Sequence, residues 1–80
     1  MAIIEIKSPI PGTFYRKPSP ENPVFKEDGA DVVETDVIGL VEVMKTFHEI
    51  PAGVSGKSIR FIIEDSDPIM AGQVIAEVEG

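Results

Sequence analysis

Val33-Glu-Thr-Asp-Val-Ile-Gly-Leu-Val-Glu-Val-Met-Lys-Thr-Phe-His-Glu-Ile50 contains no proline, and its reading decides the fold. Val33, Val37, Leu40, Met44 and Phe47 recur at helical spacing. Periodicity alone does not separate an amphipathic helix from two strands here. The side chains lean towards strand: Val33, Thr35, Val37, Ile38, Val41, Val43, Thr46 and Ile50 are all β-branched, the class that packs well on a pleated surface. Gly39 in mid-run weakens a helix by about 1 kcal/mol relative to Ala. Two strands, Val37–Val43 and Thr46–Ile50, would form a hairpin with Met44-Lys45 at its tip. The tip lacks the Asn-Gly or Asp-Gly of a usual two-residue turn. A local inconsistency of this kind marks a candidate functional position.

Outside this stretch, prolines at 9, 11, 18, 20, 23, 51 and 68 and seven glycines leave room only for short extended runs. The remaining runs expected as strands are Ile3–Ile6, Thr13–Arg16, Asp31–Val33, Ser58–Glu64 and Gln73–Val78. Short strands at this spacing suggest an antiparallel sandwich or barrel. An internal comparison sharpens the picture. Shifted by 37, Glu27-Asp28 falls on Glu64-Asp65, Val32 on Ile69, Val37-Ile38 on Val74-Ile75 and Val41-Glu42 on Val78-Glu79. Upstream, a shift of 44 puts Ile6 on Ile50, Ile10 on Val54, Gly12 on Gly56 and Arg16 on Arg60. The expected fold is therefore all-β, two similar halves about a pseudo-twofold axis. The offsets are seven apart, so the first half carries an insertion of about that length. It falls at Lys17-Pro-Ser-Pro-Glu-Asn-Pro-Val24, where three prolines remove ladder donors and stiffen a projecting loop.

Composition excludes several kinds of chemistry. The 80 residues fit one small domain, with little volume left for a deep pocket once a core is built. No cysteine is present, so disulfides, thiol catalysis and Cys-ligated zinc are excluded. The single histidine, His48, has neither zinc-site nor triad spacing around it, so no catalytic residue and no metal site are assigned. A formal net charge of −7 is a poor match for nucleic-acid phosphates or anionic membranes, so neither is expected as a partner. No run is apolar enough to span a bilayer, and Met1-Ala-Ile-Ile-Glu-Ile-Lys7 has no signal-peptide pattern. A cytoplasmic location is expected. Glu27, Asp28, Asp31, Glu34, Asp36, Glu64, Asp65 and Asp67 are read as solvating strand ends, with no acid/base pair among them. Of Phe14 and Tyr15, adjacent on a strand, one is expected in the core and the other on the surface.

At this point the sequence resembles the biotinyl (biotin/lipoyl attachment) domains. Glu42-Val-Met-Lys45 resembles their Glu-Ala-Met-Lys motif, in which the lysine at a hairpin tip is biotinylated. Ser8-Pro-Ile-Pro-Gly-Thr-Phe-Tyr-Arg16 resembles a strand of the biotin carboxyl carrier branch, which serves acetyl-CoA carboxylases. Pro18-Ser19-Pro20 resembles the start of that branch's protruding thumb loop, and Ser55-Gly56 a Ser-Gly before a strand of the second half. Val43 and Thr46 depart from the branch's usual Ala and Met.

The resemblance implies a flattened antiparallel barrel or sandwich, the hammerhead fold, across residues 1–80. Its thumb would span about 17–24 and its biotinyl hairpin about 37–50. It implies a carrier rather than an enzyme. A biotin protein ligase would join biotin to Lys45 through an acyl-adenylate, reading Met44 and Glu42. The biotin would then move carboxylate from an ATP-dependent biotin carboxylase to a carboxyltransferase, for malonyl-CoA and fatty acid synthesis. Pro18, Ser19 and Pro20 would contact the biotin moiety or a partner enzyme; the alternative is an inert loop. Two other readings stay open, a lipoyl-type carrier and an unmodified interaction module on the same scaffold. Lipoyl domains typically have Asp-Lys-Ala at the tip, unlike Met44-Lys45-Thr46.

Overall fold

A computed structural model describes residues 2–80; Met1, the first residue of the opening segment, lies outside the described residues. Seven strands form: β1 (Ile3–Lys7), β2 (Gly12–Tyr15), β3 (Val37–Val43), β4 (Thr46–Pro51), β5 (Lys57–Phe61), β6 (Asp67–Ile69) and β7 (Val74–Glu79). No helix occurs among the described residues. In the deciding stretch, β-branched content outweighs the helical spacing.

The strands make two antiparallel sheets, ordered β1-β7-β5 and β4-β3-β2-β6. Their inner faces enclose one core, with Phe14, Ile38, Val41, Ile59, Ile75 and Val78 fully buried. Phe14 faces inward and its neighbour Tyr15 is half-buried on the outer face, as strand alternation requires. Gly39 has a packing reason rather than a turn reason: an added Cβ would lie 2.5 Å from the Phe14 ring.

The internal repeat is visible in the hydrogen-bond register. Along β4, residues 47, 48, 49, 50 and 51 face 42, 41, 40, 39 and 37 of β3. Along β1, residues 3, 4, 5, 6 and 7 face 79, 78, 77, 76 and 74 of β7. The steps are the same at offsets of 44 and 37, and so is the bulge. Turns repeat as well: Val33 N donates to the Asp36 carboxylate and Met70 N to the Gln73 side-chain oxygen, at 3.0 and 2.9 Å.

Three expectations are corrected. Asp31–Val33 is not a strand; only Val32 pairs, in a single bridge to Gly56. The cause lies in the partner, because β5 bulges between Lys57 and Arg60 with Ser58 at φ 54°, and the ladder is broken there. The expected strand Ser58–Glu64 ends at Phe61; Ile62 still donates to the Ile75 carbonyl of β7, and from there the chain bends out of the sheet. β6 falls outside the runs expected as strands, and Pro68 stands in its middle. It survives as an edge strand, where proline is tolerated.

The β5 bulge also shifts the repeat. Tyr15 faces Leu40 while Arg60 faces Glu77, so past the bulge Tyr15 corresponds to Arg60, and Arg16 to Phe61. The side-chain bonds agree: Arg16 N donates to Asp65, and Phe61 N to Asp28. The extra segment of the first half is then residues 17–24, one residue longer than the sequence offsets imply. Phe25 N donates to the Arg16 carbonyl at 2.9 Å and closes this loop at its base.

Candidate functional site

The β3–β4 hairpin closes through Val43 paired with Thr46, leaving Met44 and Lys45 as a two-residue turn. Their φ angles are 49° and 67°. Left-handed φ at both central positions is the signature of a type I′ turn, whose twist matches the flanking strands. Methionine and lysine gain nothing from this geometry that Asn-Gly would not supply at lower conformational cost. Met44 is 93% exposed, and Lys45 is exposed beside it. Among the described residues, the Lys45 Nζ makes no hydrogen bond or ion pair, unlike Lys26, which holds Asp36 at 3.1 Å. The tip thus presents a free primary amine on a four-carbon stem, anchored to a fixed backbone.

Two strand positions below the tip, the outer face carries a small cluster. Glu42 lies opposite both Thr13 and Phe47, one strand on each side. The Tyr15 hydroxyl donates to Glu42 Oε1 at 3.2 Å. That bond to a carboxylate pushes the Tyr15 hydroxyl above the ordinary tyrosine range, with partial desolvation and the charges of Glu42 and Asp65 adding to it. The Tyr15 and Phe47 rings lie 6.0 Å apart in tilted contact.

Beside this cluster the 17–24 loop arches over a groove of about 360 Å³. The groove is lined by Tyr15 and Phe47 from the strands, by Lys17, Pro18, Ser19 and Pro20 from the loop, and by Asp65 and Ser66. The loop's roots are firmly tied. Asp65 accepts from Arg16 N at 2.7 Å, and the Arg16 guanidinium donates to the Lys26 carbonyl at 3.1 Å while stacking on Phe61 at 4.1 Å. Of the six residues singled out from the sequence, Glu42, Met44 and Lys45 share the hairpin, and Pro18, Ser19 and Pro20 line the groove. Phe47, which reaches the groove from β4, joins the two sets.

The nature of a site built on one exposed amine is clarified by comparison with known proteins. A family model for biotin/lipoyl attachment, described as "biotin-requiring enzyme", matches residues 4–78. The chain belongs to the biotin/lipoyl attachment family. Its relatives in that family include the biotin carboxyl carrier protein of acetyl-CoA carboxylase of Chlamydia trachomatis, 41% identical over 91% of this chain and 44% of that protein. The carrier protein of the same name from Nostoc is 34% identical over 96% of this chain and 42% of the relative. Carrier protein 2 of Arabidopsis thaliana chloroplasts is 39% identical over 80% of this chain and 25% of its own. The chain therefore spans under half the length of these relatives.

For a family whose group is held by a covalent bond, the fit depends on whether a side chain can form one. Lys45 fits: it is nucleophilic when unprotonated, exposed and unengaged. His48 stands exposed on β4 opposite Val41. Among the described residues no three His, Asp or Glu side chains are grouped to hold a metal ion, and no helix is long and apolar enough to cross a membrane. Sequence reasoning missed two residues lining the groove, Asp65 and Ser66, and the Tyr15–Glu42 bond. The first had a signal: the repeat places Asp28 on Asp65, and both accept from a backbone amide of the other segment's strand. The second had none, since it joins residues 27 apart in sequence.

Proposed function

We infer that the chain is a biotin carboxyl carrier domain, a non-catalytic component of an acetyl-CoA carboxylase. The observation that carries this reading is the free Lys45 amine, held beside Met44 on a type I′ tip in a member of this family. In the attachment step Lys45 Nζ attacks the carboxyl of biotin, activated at a biotin protein ligase. An N–C bond forms, the adenylate leaves and the amine proton passes to solvent. The amide removes one positive charge and takes the formal charge from −7 to −8. Met44 and Glu42 are the side chains the ligase reads beside the amine.

Bound biotin supplies a ring nitrogen that accepts carboxylate at a biotin carboxylase and yields it at a carboxyltransferase, in the cytoplasm, for malonyl-CoA and fatty acid synthesis. This chain contributes reach and a fixed origin. The lysine stem gives the first and the two-residue turn the second, and tethering replaces free diffusion by a high effective concentration. Pro18, Ser19 and Pro20, with Tyr15 and Phe47, offer the head group a groove within the size range of small-ligand sites. Neither nucleic acid nor a membrane is a partner in this reading. Met44-Lys45-Thr46 favours biotin over lipoate.

The test is intact mass after incubation with biotin, ATP and a biotin ligase. The unaltered chain should gain one biotinyl group, and Lys45→Ala none.

A further inference from the structure

The two halves share their strand register, so positions where they differ show what the hairpin end adds to the common framework. Glu42 of β3 corresponds to Glu79 of β7, and Tyr15 of β2 to Arg60 of β5. In the second half Arg60 bonds Glu77 at 2.7 Å, a carboxylate at the position of Leu40, rather than Glu79. Only in the first half does the aromatic residue reach diagonally to the glutamate two residues from the tip. The link is therefore not a demand of the shared sheet. Phe47, on the other flank of Glu42, packs on the same tyrosine ring, so β3 holds the hydroxyl through Glu42 while β4 contacts the ring.

We propose that Tyr15 is a positioning residue: its hydroxyl holds the Glu42 carboxylate in the orientation that the biotin-attaching enzyme reads next to Lys45. The inference rests on the carrier reading above. An unrestrained glutamate would lose rotamer freedom when a ligase engaged it; one already tethered loses less. The contribution therefore falls on recognition of the carrier and not on the transfer step, whose reacting atoms Tyr15 does not touch. Arresting one half-buried side chain through one hydrogen bond supports a change of roughly fivefold.

The test compares the full chain with Tyr15→Phe, Glu42→Gln and the double variant as acceptors for a biotin ligase, each followed by intact mass. Tyr15→Phe keeps the ring and its contact with Phe47, so thermal midpoints within a few degrees certify the fold. Tyr15→Phe should raise the KM for the carrier about fivefold and leave kcat within about twofold. In the Glu42→Gln background the same change should do almost nothing, because Tyr15 acts through Glu42. The contact has its own readout. The chain has one tyrosine and no tryptophan, so phenolate absorbance reports Tyr15 alone, and Glu42→Gln should lower its titration midpoint towards the ordinary value. Equal KM effects in both backgrounds, an unchanged KM in Tyr15→Phe, or a phenolate midpoint indifferent to Glu42→Gln would each overturn the role. Absence of any adduct on the unaltered chain is a different failure: it removes the carrier reading itself and the positioning role with it.

Discussion

Replacing Met44-Lys45 by Asn-Gly should make the protein more stable. Both residues stand in left-handed φ, at 49° and 67°. A side chain with a Cβ pays about 1–2 kcal/mol for that conformation. Glycine at 45 removes this term and returns about 0.5–1 kcal/mol through its looser unfolded chain. Asparagine at 44 enters the left-handed region more readily than methionine. Met44 is 93% exposed, so its truncation forfeits little burial. The net gain is about 1 kcal/mol, or roughly 4–8 °C in Tm for a domain of this size. Differential scanning calorimetry of the two proteins at neutral pH measures it, and two-state behaviour should be retained. With Lys45 as the proposed attachment point, the same variant should accept no biotin, which would separate stability from function at one turn. A midpoint that stayed put or fell would mean that the tip is not held in left-handed geometry, and the reading of Met44-Lys45 as retained for function against local preference would lose its support.

Other perturbations test the frame around the tip. Phe14→Ala empties a fully buried site and should cost about 3–5 kcal/mol in urea denaturation, enough to leave the domain marginal. Gly39→Ala drives a methyl to within 2.5 Å of the Phe14 ring and 2.8 Å of the Tyr15 carbonyl, so a loss of about 1–3 kcal/mol is expected by the same measurement. Deleting residues 17–24 should leave the fold intact and shift stability by less than about 1 kcal/mol, because Phe25 already closes on Arg16 and the second half makes the corresponding crossing directly from Phe61 to Ile62; loss of cooperative unfolding would refute this. The Asp36 carboxylate is held below the usual range by the Val33 amide and the Lys26 ammonium. A depressed folded value means its stabilisation is complete above the unfolded value of about 4 and is lost as pH falls through the folded one. Thermal midpoints should therefore drop on acidification below about pH 4, and less steeply in Asp36→Asn.

Much of the fold was legible because the repeat and the β-branched runs agree. Ile6 with Ile50, Ile38 with Ile75 and Val41 with Val78 are matched in sequence and matched in the core. What sequence could not show is where a ladder breaks. The bulge at Ser58 has no residue signature, yet it reduces Asp31–Val33 to one bridge and moves the counterpart of Arg16 from Arg60 to Phe61. β6 was absent from the expected strands; its proline is compatible with a strand only at a sheet edge, and which strands lie at an edge is not written in local propensity. At the site, Met44-Lys45 stood out as a turn without turn residues, and the proline-dense segment as an insertion. The contacts that join them, Tyr15 with Glu42 and with Phe47 beside the loop's groove, depend on which strands become neighbours. They emerge only from the assembled sheet.

The central claim is that Lys45 is the attachment point of a carrier. Its most direct measurement is the intact mass of the chain, followed by peptide mapping, after incubation with biotin, ATP and a biotin ligase. One biotinyl group located on Lys45 and absent from Lys45→Ala is the predicted result. A chain that stays unmodified with several ligases, or an adduct on another lysine that persists in Lys45→Ala, would contradict it.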